Sequence, residues 1–183
     1  MNRQLFLNGD INSHSVEDII YKIINFNHED AQQEAVAKEM NLIPPARKPI
    51  KIFINSPGGN VYDGFALIDA IRNSTTPVHT IALGSAMSMG MLIYAVGHRR
   101  YIGEYSTLMF HDVSSAVADK LETIRDRIDE LNRIQAMICS VVTTNSKVPM
   151  EKLAEKLSQR EDWYISAKEA IDLGLADGYL TEF

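Results

Sequence analysis

Four short segments of this chain carry residue types that could do chemistry together. The most informative is Gly84-Ser85-Ala86-Met87-Ser88-Met89-Gly90, where small residues surround a serine between an apolar strand pattern and an apolar helix pattern. It is close to the nucleophile elbow, with Ala86 where the hydrolase motif has its first glycine. A tight turn would present the Ser88 hydroxyl, and free N–H groups at the helix N-terminus could stabilise an anion. The same pattern also suits a plain helix N-cap, for which Ser85 is the better candidate.

The second segment is Ser56-Pro57-Gly58-Gly59-Asn60. Paired glycines between a strand and a helix permit unusual backbone angles and close approach. Their N–H groups could form one side of an oxyanion hole, or the segment could be only a turn. A nucleotide-binding loop is poorly supported, since neither a Walker pattern nor G-x-G-x-x-G is present. The third segment is Leu108-Met109-Phe110-His111-Asp112. A general base needs rigid placement of this sort at a strand end, although a satisfied core histidine reads alike. His14, His28, His79 and His98 lack that setting, and no H-x-x-x-H or cysteine spacing supports a metal site. The fourth is Arg160-Glu161-Asp162-Trp163-Tyr164, where Asp162 either orients a histidine or belongs to a solvated acidic turn.

The elements that must position these residues are legible as patterns. Gln4 to Leu7 reads as a strand, followed by a helix with Ile19, Ile20, Ile23 and Ile24 and a capping box of Ser15 and Asp18. His28 to Asn41 is polar, rich in Gln, Glu, Ala and Lys, and reads as a surface insertion that could be helical, closed by Pro44-Pro45. Alternation over Ile50, Ile52 and Ile54 predicts a strand, and Val61, Phe65, Ile68 and Ile71 predict a helix face. A strand over Val78–Leu83, a turn at Gly84-Ser85 and a helix over Met87–Val96 follow. Strands are expected near Arg100–Ile102 and Thr107–Phe110, and at Trp163–Ile165 and Leu175–Leu180. Met150–Leu157 reads as a helix, and so does Ser166–Leu173, capped by Ser166 and Glu169. Strands alternating with helices indicate an α/β domain. Leu121, Ile124, Ile128, Leu131, Ile134, Ile138 and Val141 mark one long helix over Ala116–Asn145. At 1.5 Å per residue it would be roughly 40 Å long, so one end should protrude and seek a partner.

Composition narrows the functional classes. The chain has 183 residues, enough for one domain with a real core, and its 45% hydrophobic and 23% charged content is that of a globular protein. A net charge of −6 argues against a nucleic-acid binder, whose affinity rests on phosphate contacts. The single cysteine, Cys139, allows no internal disulfide and reads as a core residue in a reducing cytoplasm. No secretory leader is seen, and the apolar run Val78–Val96 is too interrupted for a membrane helix.

Spacing alone does not bring the four segments together. Asn55-Ser56-Pro57-Gly58-Gly59, Ser88-Met89-Gly90, Met109-Phe110-His111, the run Asp162–Ala170 and the ending Gly174-Leu175-Ala176-Asp177 resemble, in order, the signatures of the Clp protease proteolytic-subunit family. The resemblance runs from about Arg3 to Leu180. It implies an α/β fold of the Clp protease and crotonase type, a spiral of β-β-α units with a protruding handle helix, over a single domain of residues 1–183. It further implies a serine endopeptidase that cleaves short or unfolded polypeptides through an acyl-enzyme, with no cofactor and no metal. Ser88 would be the nucleophile, His111 the general base and Asp162 the orienting carboxylate, with the N–H groups of Gly59 and Met89 as oxyanion hole. An extended peptide would pair along Gly59–Val61 and His111–Val113, which makes Gly58, Asn60, Val61, Asp112 and Val113 substrate-binding candidates.

The family implies a homo-oligomer of stacked heptameric rings, with residues 116–145 as the handle between rings, and an AAA+ ATPase unfoldase as partner. The segment that usually meets that ATPase is not seen ahead of Gln4, which argues against docking by that route. Other departures are the long connection 27–49, read as a surface insertion, and a short Val113–Ala118 without the usual glycines. Glu161 also stands where an arginine tied to assembly is common. Two rivals remain: a non-catalytic structural subunit of a mixed ring, and a crotonase-type acyl-CoA enzyme, which would not need the serine–histidine–aspartate order.

Overall fold

A computed structural model describes residues 3–113 and 121–182. In chain order the elements are β1 (Gln4–Asn8), α1 (Ser13–Glu39), β2 (Ile50–Ser56), α2 (Val61–Arg72), β3 (Val78–Met87), α3 (Met89–Ala95) and β4 (Arg99–Ile102). Then follow β5 (Thr107–Phe110), α4 (Leu121–Thr144), α5 (Met150–Gln159), β6 (Trp163–Ser166), α6 (Ala167–Asp172) and β7 (Gly178–Tyr179). β1, β2, β3, β4 and β7 lie side by side in that order, all parallel. β5 leaves this path to pair in parallel with β3, and β6 runs antiparallel along β5. This is a mixed α/β fold dominated by a parallel sheet. Strands covered on both faces read as apolar runs. Accordingly, Ile50, Ile52 and Ile54 of β2 are fully buried and Phe53 between them nearly so.

Two local expectations are corrected. The cap of α1 is Asn12 rather than Ser15: Asn12 Oδ1 accepts from Ser15 N–H, and Ser15 Oγ accepts from Asn12 N–H, each at 3.0 Å. Ser15 is thus the third helical residue of that box, a role its short hydroxyl can fill in place of Glu. The polar stretch 28–39 continues α1 without a break. No Gly or Pro interrupts it, and good helix formers fill it.

The second correction concerns β3. Gly84-Ser85 is not a turn, because β3 runs on to Met87. Its first half pairs with β4 from His79 to Ala82, and its last three residues pair with β5, Ser85 to Met87 against Thr107 to Met109. The change of neighbour falls at Gly84, whose φ of +84° lies where glycine is favoured. A register shift against β2 occurs at the same level, between Ile54 and Ser56.

α4 is the long apolar-striped helix, and the expected start at 116–120 lies outside the described residues. It buries Ile134, Ile138, Cys139, Val141 and Val142 against the core, whereas Ile128 nearer its start is half exposed. The capping box of Ser166 and Glu169 forms on α6. Among the described residues, no helix is long and apolar enough to cross a membrane.

Candidate active site

Parallel strands end on the same edge of a sheet, where ligands of open α/β folds bind. Here Ser56 of β2 is level with Ala86 of β3, and Met87 of β3 is level with Met109 of β5. The residues just past each strand, Gly58, Ser88 and His111, therefore meet. Ser88 N–H donates to Met109 O at 2.8 Å, which ties the turn after β3 to β5. Ser88 takes φ of +51° and ψ of −123°, a strained conformation for a non-glycine residue. That is the elbow geometry, reached one residue after the strand rather than inside it.

Ser88 occupies the N-cap position of α3 but makes no capping hydrogen bond with its side chain. Its Oγ lies 2.8 Å from His111 Nε2 instead. Ser85, the rival in the same motif, is held in β3, with its N–H and Oγ both donating to Asn55 Oδ1. Gly58 is required by contact. With φ of +107°, a Cβ there would lie 2.7 Å from Ser88 Cβ and 3.2 Å from Met89 N. Gly59 is equally confined, since a Cβ on it would overlap the carbonyl oxygen of Ile11. Ile11 N–H donates to Gly58 O and Asn60 N–H to Ile11 O, both at 2.8 Å, so the glycine turn is fastened from behind.

Asp162 comes close in register but makes no hydrogen bond among the described residues. β6 pairs with β5 up to Phe110 opposite Trp163. Extending that register by one residue sets Asp162 opposite His111. Asp162 is exposed, and among the described residues no hydrogen bond joins it to His111.

A cleft of about 80 Å³ lies between the glycine turn and the pair, lined by Gly59, Val61, Ser88, His111, Asp112 and Val113 among others. A second hollow of about 360 Å³ continues from it, sharing Gly59, Val61 and Val113. Asn60, also expected to meet substrate, uses its side chain to cap α2 through the N–H groups of Tyr62 and Asp63. On the rim of the second hollow Tyr62 Oη donates to Glu130 Oε1 at 2.8 Å, and Arg133 forks onto the same carboxylate. The Arg133 guanidinium, with Tyr62 adding, holds the Glu130 carboxyl down to about 2.

Sequence reasoning gave no role to two residues. Ser56 is fully buried, and its Oγ accepts from Gly58 N–H at 3.1 Å. Gln135 of α4 accepts from Val113 N–H through Oε1 at 3.0 Å. Ser56 lay within a quoted motif, whereas nothing near Gln135 in the chain marks it. Among the described residues, no group of three or more His, Cys, Asp or Glu side chains is clustered as metal ligands would be.

A serine–histidine pair at the carboxyl ends of parallel strands, facing a glycine turn, is an arrangement suited to nucleophilic hydrolysis on an α/β fold. The chain belongs to the Clp protease family, which it matches over residues 1–182. It is 28% identical over 180 residues to an ATP-dependent Clp protease proteolytic subunit of Borreliella afzelii, covering 97% of this chain and 83% of that one. It is 31% identical over 159 residues to an ATP-dependent Clp protease proteolytic subunit 3 of Rhodococcus jostii, covering 85% and 78%. A proteolytic subunit 2 from Chlamydia abortus is 30% identical over 171 residues, covering 92% and 82%. The chain is a peptidase of the Clp type.

Proposed function

We propose that this chain is a serine endopeptidase in which Ser88, His111 and Asp162 act as a triad. The observation that carries the reading is the 2.8 Å approach of Ser88 Oγ to His111 Nε2 on a strained elbow. A serine hydroxyl is a weak nucleophile until a base takes its proton. His111 Nε2 takes that proton as Oγ bonds to the peptide carbonyl carbon. The oxygen of the tetrahedral adduct receives the N–H groups of Gly59 and Met89. On collapse the C–N bond breaks, and His111 returns the proton to the leaving amine. Water, activated by the same imidazole, then hydrolyses the acyl-enzyme. Asp162 orients His111 once its side chain turns inward from the β6 end, and it stabilises the imidazolium. The contiguous clefts suit an extended peptide laid between Gly58–Val61 and Asp112–Val113.

The chain works as a single domain, with residues 27–49 as an insertion and α4 as the handle of a homo-oligomeric ring chamber in the cytoplasm. Half-exposed Ile128 on the early part of α4 supports packing against another copy. Nothing in the site calls for a nucleotide, so short peptides should be cleaved without ATP. A folded substrate must first lose about 5–15 kcal/mol of its own stability, which a separate ATPase would supply. The decisive experiment is labelling with a fluorophosphonate followed by peptide mapping. The label is expected on Ser88, and labelling elsewhere or not at all would sink the reading.

A further inference from the structure

The reactive histidine is carried on a segment with little hold on it. Pairing of β5 with β6 ends at Phe110, one residue before His111. Among the described residues no hydrogen bond reaches His111 Nδ1, and Asp162 stands unbonded. Two residues beyond His111, Val113 N–H donates to Gln135 Oε1 at 3.0 Å. An N–H can only donate, so the carboxamide oxygen must be the atom that faces it. The other end of the amide, Nε2, lies 3.5 Å from Sγ of buried Cys139, four residues further along α4. Gln135 is half-buried, and Ile134, Ile138 and Cys139 around it are in the core. Its carboxamide is therefore presented from a fixed stretch of helix.

We infer that Gln135 is a positioning residue for the hydrolytic step, pinning the backbone after His111 so that the imidazole stays within reach of Ser88. β5 holds the segment on one side of His111 and Gln135 on the other. The inference rests on the peptidase reading and adds to it a residue on α4, far from any catalytic motif. Displacing a reacting group by about 1 Å can cost roughly a hundredfold in rate, so loss of one backbone anchor should be visible.

Gln135→Met removes the acceptor at similar size, and Gln135→Glu keeps an acceptor oxygen at the same reach. The protein is compared as assembled, with sedimentation and melting temperature recorded. For Gln135→Met the expected result is a fall of about tenfold in kcat on a fluorogenic peptide and in the fluorophosphonate labelling rate of Ser88, the scale of one hydrogen bond. KM should stay nearly constant, and Gln135→Glu should recover most of both rates. The labelling arm involves no peptide backbone and so reads the Ser88–His111 pair itself. Gln135→Leu gives the same comparison where Gln135→Met fails to assemble. Unchanged labelling and kcat in the acceptor-free variants would overturn the inference and leave the peptidase reading standing. A lowered KM with unchanged kcat would also overturn it, because Gln135 would then be competing with bound peptide for Val113 N–H. A wild-type protein that is never labelled at Ser88 would remove the peptidase reading and this inference together.

Discussion

The two ends of the same parallel strands are held by opposite means. At the N-terminal ends, Arg3 precedes β1, Lys48 precedes β2 and Thr76 precedes β3. Arg3 forks onto Asp30 of α1 at 2.8 and 2.5 Å and also donates to Lys48 O. Thr76 Oγ1 donates to Asp30 Oδ2 at 2.7 Å, and Asn27 Oδ1 accepts from the N–H groups of Thr75 and Thr76. Arg47 adds a fork onto Glu34. The second half of α1 is thus a polar clamp across the strand starts. At the C-terminal ends, Gly58, Gly59 and Ser88 take positive φ, and Ser88 Oγ is turned toward a histidine rather than used as a cap. One end is tied together by part-buried polar pairing. The other keeps a hydroxyl available in a strained backbone, as functional sites tend to do.

Substitutions at the two ends should therefore separate activity from stability. The largest effect is expected from Ser88→Ala. Loss of a triad nucleophile costs roughly a million-fold in kcat, and the melting temperature should hardly change. A variant that still cleaves fluorogenic peptides at near wild-type rate would break the comparison. Next comes Gly58→Ala, whose Cβ would meet Ser88 Cβ at 2.7 Å. Displacing the nucleophile predicts a loss on the order of a hundredfold in kcat/KM, with a much smaller change in melting temperature.

At the clamp the order reverses. Asp30→Ala leaves the part-buried Arg3 with Lys48 O as its remaining acceptor among the described residues and deprives Thr76 Oγ1 of its acceptor, and it should lower stability by about 3 kcal/mol, measured by urea unfolding, with kcat of the folded protein retained. The same pair predicts a pH effect. The Arg3 guanidinium, with Thr76 adding and burial opposing, holds the Asp30 carboxyl below its ordinary value of 3.8. A depressed value in the folded state means that the ionised form favours folding. That contribution is complete above the unfolded value and is lost as pH falls through the lower folded value. Acid unfolding below about pH 4 should therefore lose this increment in the wild type, and Asp30→Ala should lack it. The smallest effect is expected from Glu34→Gln. Its side chain is 39% exposed, so the pair with Arg47 is screened and the melting temperature should barely move.

The sequence by itself determined what near neighbours encode. The alternation of Ile50, Ile52 and Ile54, the box of Ser166 and Glu169, and the glycine turn Gly58-Gly59 after β2 are all local patterns, and each formed. Such patterns depend on periods of two and of 3.6 residues, which a linear reading can detect. The family resemblance singled out Ser88 and His111, but their 2.8 Å approach across 23 positions depends on the parallel register of β3 with β5. That register follows from β3 changing neighbour at Gly84, a choice made by packing along the whole sheet; read locally, Gly84-Ser85 looked like a turn. Asn12 displaced Ser15 as cap because the chain leaving the bridge of Ile11 with Gly59 begins α1 earlier than its apolar period suggests. Asp162 is exposed and has no hydrogen bond among the described residues, and Gln135 reaches Val113, for the same reason: which side chain meets which backbone group across distant segments is decided only when the helices and strands have packed.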